Sequence, residues 1–170
     1  GQYIDILLKD GKRRSFSIAN APHDDEFLQL HARNYPGGVF TEHVFTTMKV
    51  KDMLRFRGPL GSFFLRDTPE GVPIIFLASG TGFAPIKSIL EHVFFQEKKR
   101  GSKQKIILYW GARTKADLYL TDLPEQWQRE HENFTYIPVL SEPLVSDHWE
   151  GRTGLVHQAV LQDFNDLSAY

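Results

Sequence analysis

Residues 79–85 have the sequence Ser79-Gly80-Thr81-Gly82-Phe83-Ala84-Pro85. They follow the apolar run Ile74–Ala78, which predicts a buried strand, and they open an amphipathic helix predicted over Pro85–Phe95. Glycines permit a sharp turn and a close approach of backbone N–H groups to a ligand, and proline suits the first helical turn. The stretch therefore predicts a strand-to-helix turn at which the helix N-terminus can hold a phosphate group.

This motif matches the known phosphate-binding patterns only in part. No Gly-Lys-Ser/Thr follows, which excludes a P-loop, and Pro85 stands where the dinucleotide fingerprint G-x-G-x-x-G has its third glycine. A tight turn that binds nothing stays open as the alternative, because short glycine motifs are common.

The alternation of strand and helix continues after this turn. Strands are predicted at Ile106–Trp110 and Thr135–Leu140, and helices at Leu123–His131 and Leu155–Phe164. Such repetition indicates a parallel sheet covered by helices on both faces. Residues 69–170 are therefore predicted to form an α/β nucleotide-binding domain, which is incomplete because the pattern ends where another strand is expected.

Residues 1–68 show a different pattern, with short strands separated by turn signals. A hairpin is predicted from Tyr3–Leu8 and Arg13–Ile18 around Asp10-Gly11, and a short helix from the apolar spacing between Phe40 and Met48. Further strands are predicted at Phe27–Arg33, Met53–Arg57 and Ser62–Leu65. This pattern predicts an antiparallel β-barrel or sandwich, and we expect it to lack its first strands because the chain opens without Met on a strand-like run.

Composition and charge exclude several functional classes. The formal net charge is −1, which gives no general attraction to nucleic acid, and no apolar run approaches the roughly 20 residues that cross a membrane. The absence of cysteine excludes disulfides, cysteine nucleophiles and iron–sulfur ligation within the chain. The 7 histidines lack metal-binding spacing, so no metal site is expected. We expect a soluble, cytoplasmic protein in which Trp110, Trp127 and Trp149 are packing residues.

Two stretches of the first domain can carry chemistry. In Arg14-Ser15-Phe16-Ser17, strand alternation places a cation and an aromatic ring on one face, which suits a phosphate and a flat ring system. The alternative is an ordinary cross-strand pair. In Pro36–Thr41, two glycines precede a helix start, where backbone N–H groups and a hydroxyl can hold a second phosphate. The alternative there is a plain capped helix.

Taken together and in order, the motifs resemble the ferredoxin–NADP reductase superfamily over essentially the whole chain. The subgroup that the chain is most similar to is that of the bacterial CDP-6-deoxy-Δ3,4-glucoseen reductases and oxygenase reductases, which fuse this flavin and nicotinamide module to an iron–sulfur domain. The matching stretches are Gly1–Tyr3, Arg14–Ser17, Gly37–Thr41, Gly58–Phe63, Gly80–Pro85 and Tyr109–Arg113.

The resemblance implies an FAD site in the first domain. Arg14 would pair with the FAD pyrophosphate, Phe16 would pack on the flavin in place of the family's usual tyrosine, and Ser17 would hydrogen-bond near flavin N5. Gly38, Val39 and Thr41 would contact the pyrophosphate. The other FAD-binding residues that it implies are Ser15, His31, Ala32, Arg33 and Gly37.

The resemblance also implies a nicotinamide dinucleotide site in the second domain. Gly80, Thr81, Gly82 and Pro85 would bind the dinucleotide, with Thr81 nearest the ring, and Ser17 and Thr81 are the two implied catalytic residues. Gly111 and Arg113 would border the adenosine half. After the third strand stands Glu142, whose carboxylate would repel the 2′-phosphate of NADPH and so favours NADH. NADPH stays possible if Arg113 or Arg152 reaches that phosphate.

The implied activity is a reductase that passes hydride from NADH, or NADPH, to FAD and then single electrons to a [2Fe–2S] centre. That centre would lie on a further domain or a partner, since the chain has no cysteine. Two alternatives are a free flavin reductase and a non-catalytic electron-relay subunit. The family's first barrel strands and its final strand with a Cys-Gly-Pro motif are absent, so we expect a protein truncated at both ends.

Overall fold

The computed structural model describes residues 1–66, 71–100 and 103–168. The chain divides into two compact units, one of Gly1–Arg66 with Ala84–Gln96 and one of Asp67–Phe83 with Glu97–Tyr170. The domain boundary predicted between residues 68 and 69 lies outside the described residues and stays a prediction. No helix in the described ranges is long and apolar enough to cross a membrane.

The first unit is built on a three-stranded antiparallel sheet of order β2-β1-β3. Strand β1 (Tyr3–Leu7) pairs with β2 (Arg13–Ser17) through the predicted hairpin and with β3 (Arg55–Leu60) on its other side. Its core forms where the buried side chains of Ile4, Ile6 and Phe40 meet. Phe40 belongs to helix α1 (Val39–Thr46). The apolar alternation of β1 thus fixes which face of the sheet the helix covers.

The strand predicted over Phe27–Arg33 does not form. The structure has a single bridge there, between Ile18 and Leu30. The physical reason is Asn20, whose side-chain amide donates to the carbonyl of Phe27 at 2.9 Å and whose oxygen accepts from the N–H of Gln29 at 2.9 Å. A side chain that satisfies these backbone groups competes with strand pairing and holds the segment as a loop.

The strand predicted over Ser62–Leu65 is also wrong, because β3 ends at Leu60 and the chain turns at Gly61 with a φ of +87°. The strands of the first unit therefore form an open antiparallel sheet, not a closed barrel, within the residues that the structure describes.

The second unit contains a four-stranded sheet of order β4-β5-β6-β7 in which every neighbouring pair is parallel. Helix α2 (Phe83–Arg100) connects the first pair, and α3 (Asp122–Glu130) the second. Helix α4 (Val156–Asp163) contributes Ala159 and Val160 to a buried cluster with Ile107, Tyr109 and Val139. The strands are β4 (Ile74–Ser79), β5 (Ile106–Ala112), β6 (Phe134–Leu140) and β7 (Arg152–Thr153). This confirms the predicted fold class of an antiparallel domain followed by an α/β domain.

Candidate functional site

The glycine turn at the end of β4 is open to solvent. Gly80–Gly82 form one turn of 3₁₀-helix directly before α2 begins at Phe83, and both Thr81 and Gly82 are exposed. Gly80 has a φ of +50°, which glycine adopts without steric cost. Gly82 does not have a positive φ, and a Cβ placed on it would meet, apart from its chain neighbours, no atom of the described residues within 4 Å. Neither the backbone nor the packing of the described residues requires glycine at 82, so the space over it is free for a ligand.

The carbonyl oxygen of Gly80 accepts hydrogen bonds from two donors. The backbone N–H of Phe83 donates to it, and the indole N–H of Trp110 donates to it at 2.9 Å. The rings of Phe83 and Trp110 stack at 4.0 Å with 15° between their planes, and both side chains are fully buried. Trp110 was expected to be a packing residue, and the structure adds a polar contact with the turn. The sequence signal for this contact is the position of Trp110 near the end of β5, the strand that pairs with β4.

Gly111 has a packing role at the end of β5. It is buried, and a Cβ at this position would lie 2.8 Å from the Cβ of Val156 on α4. Side-chain carbon atoms do not approach that closely, so this glycine is required for α4 to pack on the sheet. Its predicted contact with the adenosine half of the coenzyme stays a prediction.

Arg113 and Glu142, which follow β5 and β6, form an ion pair with two contacts. Arg113 Nη2 lies 2.8 Å from Glu142 Oε2, and Nε donates to Oε1 at 3.3 Å. The backbone N–H of Glu142 also donates to the carbonyl of Arg113 at 2.8 Å. The hydrogen bond and the attraction between the charges lower the pKa of Glu142 and raise that of Arg113. Glu142 is therefore ionised at neutral pH, and the charge of Arg113 is engaged by it.

Arg152, the other arginine that could bind a 2′-phosphate, also forms an ion pair with a carboxylate. Arg152 Nη2 lies 2.5 Å from Asp163 Oδ1, and its Nη1 donates to the carbonyl of Ala159 at 3.3 Å. Both arginines in this part of the second unit are thus held by carboxylates, which disfavours binding of a phosphate dianion.

The segment Arg14–Ser17 lies on β2 as predicted, with Arg14 and Phe16 opposite the buried Ile6 and Ile4 in the register of the sheet. The Arg14 guanidinium is exposed and donates to the carbonyl of Arg13 at 2.8 Å. Phe16 is half-buried, with its ring centroid 5.3 Å from that of Phe40.

The two serines lie on the other face of β2. Ser15 Oγ donates to Asp5 Oδ1 at 2.7 Å, and the half-buried Ser17 lies opposite Tyr3. A cation and a partly exposed ring therefore stand side by side on one face, as the alternation predicts, with hydroxyls on the opposite face.

The other predicted FAD residues lie in the loop before α1 and in its first turn. His31 and Ala32 are half-buried and Arg33 is exposed, and none of the three belongs to a strand. Gly37 has a φ of +76°, and a Cβ on it would meet no described residue other than its chain neighbours within 4 Å. The Gly38 N–H donates to the Tyr35 carbonyl at 2.9 Å, and the Thr41 hydroxyl donates to the Gly38 carbonyl at 3.2 Å.

Gly38 is thus the N-cap residue of α1, its N–H already has an acceptor, and the Thr41 hydroxyl is engaged by its carbonyl. Val39, the first residue of α1, is exposed. The contacts of these three residues with FAD stay predictions.

Lys87, in the first unit, is not singled out by any of the sequence motifs. Its buried ammonium group lies 2.8 Å from Glu91 Oε1, donates to Gln29 Oε1 at 3.0 Å and donates to the Ala19 carbonyl at 3.3 Å. Burial first, and then the charge of Lys87, lower the pKa of His31, which keeps that imidazole neutral at pH 7. A lysine on the buried side of α2, four residues before a glutamate, is the signal that could have identified it.

Among the residues that the structure describes, no group of three histidine, aspartate or glutamate side chains is placed to bind a metal ion.

The residues predicted to bind the cofactors separate into two sets, one in each unit. Arg14 to Ser17, His31 to Arg33 and Gly37 to Thr41 lie in the first unit, and Gly80 to Gly82, Gly111, Arg113 and Glu142 lie in the second. Pro85, in the first turn of α2, belongs to the first unit.

Comparison with known families matches both halves of the chain. Residues 1–65 match the oxidoreductase FAD-binding domain, and residues 76–169 match the oxidoreductase NAD-binding domain. The second match covers the glycine turn and the ends of β5 and β6, and the first covers the segment Arg14–Ser17.

Similar proteins are reductases. The CDP-6-deoxy-L-threo-D-glycero-4-hexulose-3-dehydrase reductase of Yersinia pestis is 42% identical over 170 residues, which are 100% of this chain and 49% of that protein. The reductase component of phenol 2-monooxygenase from a Pseudomonas species is 36% identical over 97% of this chain and 46% of its own length. A crystal structure of an Amycolatopsis cytochrome P450 reductase has a TM-score of 0.85 at 30% identity, over 99% of this chain and 50% of that one.

The chain thus spans about half the length of the curated relatives described above. The match to the oxidoreductase NAD-binding domain covers more than half of the chain, and the match to the oxidoreductase FAD-binding domain precedes it, so the chain belongs to the family of oxidoreductases with these two domains and shares its fold with a ferredoxin–NADP⁺ reductase.

Proposed function

We propose that the protein is an NADH-dependent flavoprotein reductase that delivers electrons to an iron–sulfur centre. The observation that carries this proposal is the exposed turn Gly80–Gly82, where an open space lies over Gly82, a glycine that neither its backbone conformation nor its packing against the described part of the chain requires. When both cofactors are bound, NADH supplies a hydride to FAD, and the flavin can release the two electrons singly. The residues of this chain bind and orient the cofactors.

The nicotinamide dinucleotide would be held by the turn and the start of α2. The exposed backbone at Thr81 and Gly82 precedes an 18-residue helix, and the positive end of a helix dipole favours a pyrophosphate. The Thr81 hydroxyl is the polar side chain of this turn, and we propose that it orients the carboxamide of the nicotinamide ring.

FAD would be held by the first unit. The exposed Arg14 guanidinium would pair with the pyrophosphate, since guanidinium groups bind phosphates through two parallel hydrogen bonds. The accessible part of the Phe16 ring would lie against the flavin, and the Ser17 hydroxyl would donate a hydrogen bond at flavin N5. We propose Gly37, Val39 and Thr41 as the backbone and hydroxyl contacts of the second phosphate.

The proposed electron acceptor is an iron–sulfur centre outside this chain. The chain contains no cysteine, the usual ligand of such clusters, so the centre must lie on another segment of the whole protein or on a separate partner. Its similarity to reductase components of oxygenase systems supports this partner class. We also propose a cytoplasmic location, because the coenzyme that the second unit would bind is a cytoplasmic metabolite.

An anaerobic reduction experiment tests the proposal. We expect the purified protein, supplied with FAD, to show the absorption bands of oxidised flavin and to lose them when NADH is added. Arg14→Gln is expected to raise the dissociation constant of FAD by roughly 10–100-fold, since a charged hydrogen bond contributes that much. Arg13→Gln is the matched control, because neighbouring residues of a strand point to opposite faces.

Each contrary result has a defined meaning. A folded protein that binds no FAD contradicts the proposal. Bound flavin that NADH does not reduce supports a non-catalytic relay subunit. Flavin that is reduced but never retained supports a free flavin reductase, in which Arg14→Gln would not change the affinity.

The preference for NADH rests on Glu142 and is tested separately. Glu142→Gln removes the charge that would repel a 2′-phosphate and releases Arg113 from its ion pair, so we expect the ratio of NADPH to NADH efficiency to rise by roughly ten-fold at low salt. Glu142→Asp keeps the charge and is expected to leave the ratio near that of the unaltered protein. The measurement is kcat/KM for both coenzymes. An unchanged ratio of NADPH to NADH efficiency in Glu142→Gln would show that Glu142 does not contribute to the choice of coenzyme.

A further inference from the structure

We propose that Trp110 is a positioning residue for the coenzyme, and that its indole N–H sets the orientation of the peptide unit between Gly80 and Thr81. This inference rests on the proposed binding of NADH at the glycine turn. Trp110 itself is fully buried and would not touch the coenzyme, so its effect would pass through the backbone of the turn.

The geometry of the turn shows how this works. The Gly80 carbonyl accepts hydrogen bonds from the Trp110 indole, at 2.9 Å, and from the Phe83 backbone N–H. In a trans peptide unit the C=O and the N–H point to opposite sides. The bond that pulls the Gly80 carbonyl inward therefore directs the N–H of Thr81 away from Trp110, on the side where Thr81 and Gly82 are exposed.

Gly80 needs such a restraint more than most residues would. Its φ of +50° is one of many conformations that glycine adopts readily, so the backbone alone does not select it. A hydrogen bond from a fixed donor reduces this freedom before the coenzyme arrives, and preorganisation of this kind improves affinity because less conformational freedom is lost on binding.

The donor is fixed because the Trp110 ring is held on two sides. Phe83 stacks on it at 4.0 Å, and Tyr119 meets it edge-on with ring centroids 5.3 Å apart and planes at 86°. Trp110 also lies on β5, an inner strand of the sheet, and is paired there with Ala78 of β4. Tryptophan donates through its indole nitrogen and accepts nothing, so in this buried site the Gly80 carbonyl completes its hydrogen bonding.

The second unit supplies a matched control. The indole N–H of Trp149 donates to the carbonyl of Arg152, also at 2.9 Å. Trp110→Phe and Trp149→Phe therefore each remove one indole-to-carbonyl hydrogen bond and keep an aromatic ring. They differ in that only the first bond ends on the glycine turn.

The experiment measures the NAD⁺ dissociation constant by calorimetry and the thermal midpoint of the same samples. We expect Trp110→Phe to raise the NAD⁺ dissociation constant by roughly 3–10-fold, the effect of one hydrogen bond, and Trp149→Phe to leave it unchanged. With NADH as substrate, KM should rise while the FAD content stays that of the unaltered protein. Both variants are expected to lower the thermal midpoint, Trp110→Phe by more because Trp110 is fully buried and Trp149 only partly, so the affinities are compared at a temperature at which both variants are folded.

A second substitution covers the case in which Trp110→Phe does not fold. Benzothienylalanine at position 110 has sulfur in place of the indole N–H and nearly the same shape, and we expect the same loss of affinity. Equal affinity of all variants and the unaltered protein, or an equal loss in Trp149→Phe, would overturn the role of Trp110. If the unaltered protein itself binds no NAD⁺, the proposed function fails instead, and the two failures are thus distinguished.

Discussion

Replacing Gly82 with aspartate is expected to weaken binding of NAD⁺ by about 100-fold and to leave the free energy of unfolding unchanged or slightly higher. The space over Gly82 accepts the side chain, because a Cβ there meets no atom within 4 Å among the residues that the structure describes, its chain neighbours aside. Its carboxylate would stand directly before α2, where a negative charge is favourable in the absence of ligand.

The loss of affinity has an electrostatic cause. A carboxylate about 5 Å from a pyrophosphate charge costs about 3 kcal/mol at an effective dielectric constant near 20, which corresponds to about 100-fold in affinity. Gly82→Asn is the matched control, since it has nearly the same volume without the charge and is expected to lose much less. Calorimetric titration with NAD⁺ and urea unfolding give the two quantities. Binding by Gly82→Asp equal to that of Gly82→Asn would place the coenzyme elsewhere.

Gly111→Ala is expected to lower the free energy of unfolding by about 1–3 kcal/mol, the usual cost of overpacking a core. The added Cβ would lie 2.8 Å from Val156 Cβ and 3.3 Å from its Cγ1, and the backbone fixes the position of a Cβ, so only a shift of α4 could relieve the contact. Unfolding in urea, followed by circular dichroism, measures the change.

Two further variants separate the clash from other effects of the methyl group. Val156→Gly removes the Cβ and both methyl groups near position 111, so the double variant should lose less stability than the sum of the single ones. Gly82→Ala, where the space is open, is expected to show no comparable loss. Additivity in the double variant, or a Gly111→Ala protein as stable as the unaltered one, would contradict the packing role of Gly111.

Local periodicity was enough to predict most of the secondary structure. The run Ile74–Ala78, the glycines after it and the apolar spacing of the next helix all act within one turn or one strand, and each element formed at its predicted place. The prediction failed over Phe27–Arg33, where the deciding interactions come from the side chain of Asn20. The alternation of apolar and polar residues indicates which face of a strand is buried. It does not indicate whether a side chain elsewhere already forms hydrogen bonds with the backbone groups of the segment.

The sequence by itself determined the fold class and the family, because these follow from motifs whose residues are neighbours in the chain; the segments that bind the cofactors stay predictions. Only the tertiary structure decided the pairing of Arg113 with Glu142, the contact of Gly111 with Val156 and the bond from Trp110 to Gly80. The partners in these contacts are distant in sequence, by 29 residues for the ion pair and 30 for the indole bond. A parallel sheet brings the ends of separate strands to one edge, and no local pattern shows which side chains meet there.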